Sequence, residues 1–110
     1  REGEWGFRIE EPYFDEIKKA GFDTVRIPVK WSAHAAEQAP YRIDPEFAER
    51  VDWAVENALE RDLGVVLNIH HYDEFYENPD EHEGRLLGLW RQIAPRYADK
   101  SDKLVFEILN

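Results

Sequence analysis

Val65-Val66-Leu67-Asn68-Ile69-His70 is almost unbroken in apolar character and rich in branched side chains. That is the pattern of a strand covered on both faces, which belongs to parallel sheets flanked by helices. The residues before it read as the helix such a sheet requires. Asp44 can cap, Pro45 can open the first turn, and Phe47, Val51, Ala54, Val55 and Ala58 fall on one stripe, with Gly64 expected to close the helix. The same cycle occurs upstream. Pro12 is placed as a first helical residue, Tyr13 or Phe14, Ile17 and Ala20 follow at helical spacing, and Gly21 offers a left-handed stop before the strand Phe22 to Val29. Asp15 lies three and four residues before Lys18 and Lys19, so ion pairs along that helix are expected. A third cycle runs through Leu86, Trp90, Ile93 and Tyr97 to the strand Leu104 to Asn110, with a kink or early helix end expected at Pro95.

Helix and strand thus alternate, which predicts an α/β fold with a parallel sheet and right-handed crossovers. Sequential strands usually neighbour one another, so the simplest order is one-two-three, without a reversal. That favours a partial (β/α)8 barrel over a doubly wound sheet. No Gly-x-Gly-x-x-Gly follows any strand, so a dinucleotide site is not supported. A closed barrel commonly takes about 250 residues. The 110 residues are therefore expected to form one incomplete barrel segment with open strand edges.

Fourteen basic residues against twenty-four acidic ones leave a formal charge of −10, which opposes contact with nucleic acid or an anionic membrane. A neutral or cationic ligand fits better. Cysteine is absent, removing disulfides, thiolate metal sites and a cysteine nucleophile. No apolar run approaches the ~20 residues of a membrane span. No cofactor is implied.

Polar side chains collect at the strand ends: Arg26 in the first, Asn68, His70 and His71 in the second, Asn110 in the third. Alternation puts Asn68 and His70 on one face of their strand and His71 on the other, unless a bulge reorients it. His70 reads either as a satisfied core histidine or as a functional group, and His71 as a loop residue or its companion. A metal site is the weaker reading, because neighbouring strand histidines point apart and no helical His-x-x-x-His is present. Arg26 reads as half of a buried ion pair, with Glu107 or a carboxylate outside this segment as partner, or as the group that holds a catalytic carboxylate ionised. The acidic, aromatic stretch from Tyr72 to Glu83 lacks the spacing and glycine of a calcium loop and is expected to be a solvated loop. Trp31, Tyr41, Tyr72 and Phe75 lie near strand ends, where flat rings could stack on sugars or simply pack.

Val25-Arg26-Ile27-Pro28-Val29-Lys30-Trp31, Leu67-Asn68-Ile69-His70-His71-Tyr72 and Phe106-Glu107-Ile108-Leu109-Asn110, in that order and spacing, resemble successive strands of the family 5 glycoside hydrolases, specifically their bacterial endo-β-1,4-glucanases. The Trp5-Gly6 lead-in, the first helix ending Lys19-Ala20-Gly21-Phe22 and the helix from Arg85 to Tyr97 are similar too. The resemblance implies a (β/α)8 barrel in which these are the second, third and fourth strands. It also implies retaining hydrolysis of β-1,4-glucan, oligosaccharide or polysaccharide, by two carboxylates about 5–5.5 Å apart. In that family the last motif continues Asn-Glu-Pro, its Glu being the acid/base, and the nucleophilic Glu lies on a much later strand. By the same matching Asn110 would bond the sugar 2-hydroxyl, Arg26 would orient the nucleophile, and His70 would bind sugar hydroxyls with His71 assisting. Trp31 and Tyr72 are the candidate stacking faces, and Glu107 is read as structural. The chain is then expected to carry supporting residues without either reacting glutamate, to be inactive alone, and to need the remainder of the barrel or another copy of itself as partner. The parent enzyme is expected to be extracellular. The alternatives are a non-catalytic scaffold that assembles through its open edges, and a carbohydrate-binding module.

Overall fold

The computed structural model describes residues 8–110, so the Trp5-Gly6 lead-in lies outside it. Its elements follow the expected alternation: α1 (Glu11–Lys19), β1 (Thr24–Val29), α2 (Pro45–Glu60), β2 (Gly64–Ile69), α3 (Asp73–Glu77), α4 (Pro79–Tyr97) and β3 (Leu104–Glu107), with a 3-10 turn at Trp31–His34 after β1. The strands form one parallel sheet in the order β1-β2-β3. Arg26 pairs in register with Val66, and Asn68 with both Pro28 and Glu107. The last ladder pair is at Glu107, yet the Asn110 amide still donates to the Ile69 carbonyl at 3.0 Å, holding the chain end against β2.

The helices bury one face of this sheet. Val65, Leu67 and Ile69 have no exposed surface and join Val51, Val55, Ala58, Leu89 and Ile93 in a single core. Burying such side chains contributes about 1.5–3 kcal/mol each. The other face carries Arg26, Asn68, His70 and Glu107 and, among the described residues, no helix covers it. The apolar run of β2 therefore predicted cover on both faces where the structure provides it on one.

Element ends follow local chemistry. Gly21 takes the left-handed stop after α1 at φ 95°. Asp44 caps α2 by accepting from the Glu46 amide at 3.1 Å. Gly64 does not close α2. Asp62 makes that turn at φ 60°, and Gly64 is the first residue of β2, where a Cβ would meet Thr24 Oγ1 at 3.0 Å. Asp15 also departs from expectation, pairing across helices with Arg61 at 2.7 Å. Pro95 does not end α4, which runs to Tyr97; its ring is exposed and lies in the last turn, where one lost amide donor is tolerated. The acidic stretch after Tyr72 is helical, not a loop. Asn78 accepts from the Glu81 amide and donates to its carboxylate at 2.7 Å, and Pro79, Asp80 and Glu81 fill a favourable first turn.

Residues 30–44 form a long connection that α4 fastens. Arg85, Gly88 and Gln92 share one face of that helix. The buried Arg85 guanidinium donates to the carbonyls of Ser32 and Ala35 at 2.9 and 3.1 Å. Gln92 accepts from the Ile43 amide and donates to the Tyr41 carbonyl, both at 2.8 Å. Gly88 leaves the space occupied by the Tyr41 ring, which a Cβ would approach to 2.6 Å.

Candidate active site: a polar cluster at the strand tips

The uncovered face of the sheet gathers its polar side chains at the carboxyl ends of the strands, where α/β barrels place their chemistry. Arg26 Nη2 donates to Glu107 Oε1 at 2.5 Å and to Asn110 Oδ1 at 2.7 Å. Asn68, with no exposed surface, donates through Nδ2 to the same Glu107 oxygen at 3.0 Å and accepts from the Val29 amide at 3.3 Å. One network thus spans all three strands. Glu107 was among the expected partners of Arg26, but the pair is half-exposed, with side chains 41% and 37% accessible, where a buried pair was expected. The Arg26 guanidinium, with help from Asn68, holds the Glu107 carboxyl below its ordinary range against the opposing effect of burial.

His70 continues β2 by donating its amide to the Val29 carbonyl at 2.9 Å. Burial depresses its imidazole pKa below 6.5, the nearby His71 and Arg26 add to this, and Glu107 opposes it. The ring is thus neutral at pH 7, with one nitrogen a donor and the other an acceptor, and its Nδ1 has no partner among the described residues. His71 adopts φ 52°, and this left-handed step turns its ring edge-on to His70 with centroids 4.0 Å apart. Strict strand alternation would have separated the two rings. Neutral imidazole, guanidinium and amide side by side suit the hydroxyl groups of a polyol better than a metal ion. Glu107, the carboxylate of the cluster, is already engaged by two donors.

Trp31 and Tyr72 are not stacking faces. Both are fully buried. The Trp31 indole N–H donates to the Asn68 carbonyl at 3.1 Å and its ring meets Phe47 edge-on, while Tyr72 lies under the Arg85 guanidinium with its hydroxyl 3.3 Å from His82 Nδ1. Rings beside a strand tip fill the space between strand and crossing helix before they reach solvent. Arg85 and Gln92 escaped sequence reasoning, although their spacing beside the stripe Leu86, Leu89 and Ile93 is the signal that could have found them.

The family model for cellulase (glycosyl hydrolase family 5) matches residues 2–110. Endoglucanase H of Acetivibrio thermocellus is 41% identical over 109 residues, covering 99% of this chain and 12% of that protein. A xyloglucan-specific endo-beta-1,4-glucanase of Bacteroides ovatus is 39% identical over 98 residues, covering 84% of this chain and 20% of its own. Cel5A of Thermotoga maritima, solved in complex with mannotriose, superimposes with a TM-score of 0.97 at 53% identity, covering all of this chain and 36% of that one. The chain therefore spans about a third of its solved neighbour and a fifth or less of these curated relatives. With helices alternating around three parallel strands in the barrel order, and a family match over nearly every residue, the chain belongs to the cellulases of glycosyl hydrolase family 5.

Proposed function

We propose that these residues are the second-to-fourth-strand sector of a retaining β-1,4-glucan hydrolase. In this reading they hold and orient the sugar while the two reacting glutamates are supplied from outside residues 1–110. The observation that carries the reading is the convergence of Arg26, His70 and Asn110 on one face at the strand tips, with Arg26 bonded to Asn110 at 2.7 Å. Asn110 then binds the sugar 2-hydroxyl, Arg26 aligns the nucleophilic carboxylate and keeps it ionised, and neutral His70, with His71 beside it, bonds further hydroxyls. Such hydrogen bonds strengthen as the sugar flattens toward its oxocarbenium-like transition state, so they favour rate as well as binding. The Thermotoga maritima neighbour has been crystallised with mannotriose and with cellobiose, which supports β-linked gluco- and manno-oligosaccharides as the substrates to try first. A secreted parent enzyme fits this polymeric substrate class.

The test compares the complete polypeptide carrying these residues with the 110-residue chain on carboxymethylcellulose and cellotetraose. The complete polypeptide is expected to release product with retained anomeric configuration, and the 110-residue chain to release none. Inverted product from the former, or retaining turnover by the latter, would each overturn the assignment. Open sheet edges favour a second reading for the isolated chain, a scaffold that self-associates.

A further inference from the structure

We propose that Glu107 is a positioning residue of the sugar-facing cluster, acting through Arg26 to fix which atom of the Asn110 amide the site presents. The inference rests on the preceding reading, in which Arg26 and Asn110 serve a glycoside-cleaving site. Its basis is the order of the hydrogen bonds. Glu107 Oε1 takes one bond from Asn68 Nδ2 at 3.0 Å and one from Arg26 Nη2 at 2.5 Å. Asn68 is itself immobilised, fully buried and bonded to the Val29 amide. Glu107 thus passes the rigidity of the central strand outward to a long side chain that would otherwise sample many rotamers.

Arg26 Nη2 then donates onward to Asn110. A guanidinium nitrogen only donates, so the facing atom must be the amide oxygen, and Nδ2 is the atom Asn110 turns elsewhere. Both hydrogens of Nη2 are used by Glu107 and Asn110, which leaves Nε and Nη1 for a further acceptor such as a second carboxylate. Stability alone does not account for the pair. Ion pairs as exposed as this one contribute little, and Glu107 lies on the face of the sheet away from the hydrophobic core. Its charge has a second effect. It partly offsets the Arg26 cation, so a carboxylate nearby is still held ionised by Arg26 but meets a weaker positive field than a lone guanidinium would give.

Glu107→Gln in the complete polypeptide keeps size and an acceptor for Asn68 but removes the charge that holds Arg26. With cellotetraose, kcat is expected to fall about 10- to 100-fold through misplacement of Arg26 and Asn110, with KM changed less than about threefold. Arg26, no longer opposed, lowers the pKa of neighbouring carboxylates, so the acid limb of the kcat/KM profile moves to lower pH. Glu107→Asp restores the charge and is expected to return that limb toward its original position. A kcat within about twofold of wild type with an unmoved limb overturns the proposal, as does a loss that only follows the folded fraction. A crystal structure of Glu107→Gln decides independently of activity: Arg26 displaced from Asn110 supports the proposal, and an unchanged bond overturns it. A parent protein that cleaves no glucan would defeat the functional reading and leave that structural result to judge this one.

Discussion

Asn68 joins the two faces of the sheet's chemistry in one buried residue. Its side chain serves the polar cluster through Glu107, its Oδ1 takes the Val29 amide, and its backbone carbonyl receives the Trp31 indole from the core. A buried polar group costs little when every partner is present and much when one is removed. Asn68→Ala strips a partner from the Val29 amide and from Glu107 together. It should lower stability by about 1–3 kcal/mol in urea unfolding at pH 7. It should also loosen Arg26, because the Glu107 carboxylate then loses its side-chain bond to the central strand. Asn68→Asp, which keeps the shape but places a second negative charge beside Glu107, should be at least as destabilising as the alanine. If either variant unfolds at the wild-type denaturant midpoint, Asn68 is a bystander.

Helix-to-helix fastening is legible in the same terms. α2 and α4 meet through Asp52, which takes Arg96 Nη2 at 2.6 Å and the Tyr97 hydroxyl at 2.6 Å. Burial pushes the Asp52 pKa up, but the bonds from Arg96 and Tyr97 outweigh it and the net shift is downward. A depressed folded pKa means that the unfolded chain takes up protons first. The contribution is therefore complete above the unfolded value of about 3.9 and fades as pH falls through the folded value. Asp52→Asn should accordingly lower the thermal midpoint at pH 7, and its difference from wild type should narrow as pH falls below the unfolded carboxyl value; a constant difference across that range would show that charge is not the cause. The Asp52–Arg96 pairing was not read from sequence, and the reason is general. α2 and β2 are legible because their partners are local: a cap, a proline and a stripe at 3.6-residue period. α3 is five residues long and displays no period, so its acidic residues suggested a loop. The contacts that fasten residues 30–44 to α4 join positions 49 to 53 apart, beyond any local pattern. Arg26, His70 and Asn110 could be singled out as polar residues at strand tips, whereas the burial of Trp31 and Tyr72 depends on the helices that cross them.

At the scale of the chain, the 110 residues form a slab, 44 × 33 × 23 Å, with a radius of gyration of 14.6 Å where a compact chain of this length would have about 13 Å. That shape follows from a sheet covered on one face only. Among the described residues β1 and β3 each have a free edge, and Phe22, Val105 and Ile108 stand more than half exposed beside them. Unpaired strand edges with apolar neighbours favour joining to a second copy. Charge works in the other direction, since −10 on each chain makes copies repel at low ionic strength. The two tendencies separate with salt. Screening shortens the Debye length from ~30 Å at 0.01 M toward ~3 Å at 1 M, weakening the repulsion between copies while leaving edge pairing and apolar contact in place. The isolated 110-residue chain should therefore pass from mostly monomer to dimers or larger species as sodium chloride rises from about 0.01 M to about 0.5 M, read by size-exclusion chromatography with light scattering. A monodisperse monomer at both salt concentrations would mean that the slab satisfies its own edges, and the scaffold reading would lose its support. A polypeptide carrying the additional strands of the barrel covers those edges within one chain, so it should remain monomeric at both salt concentrations.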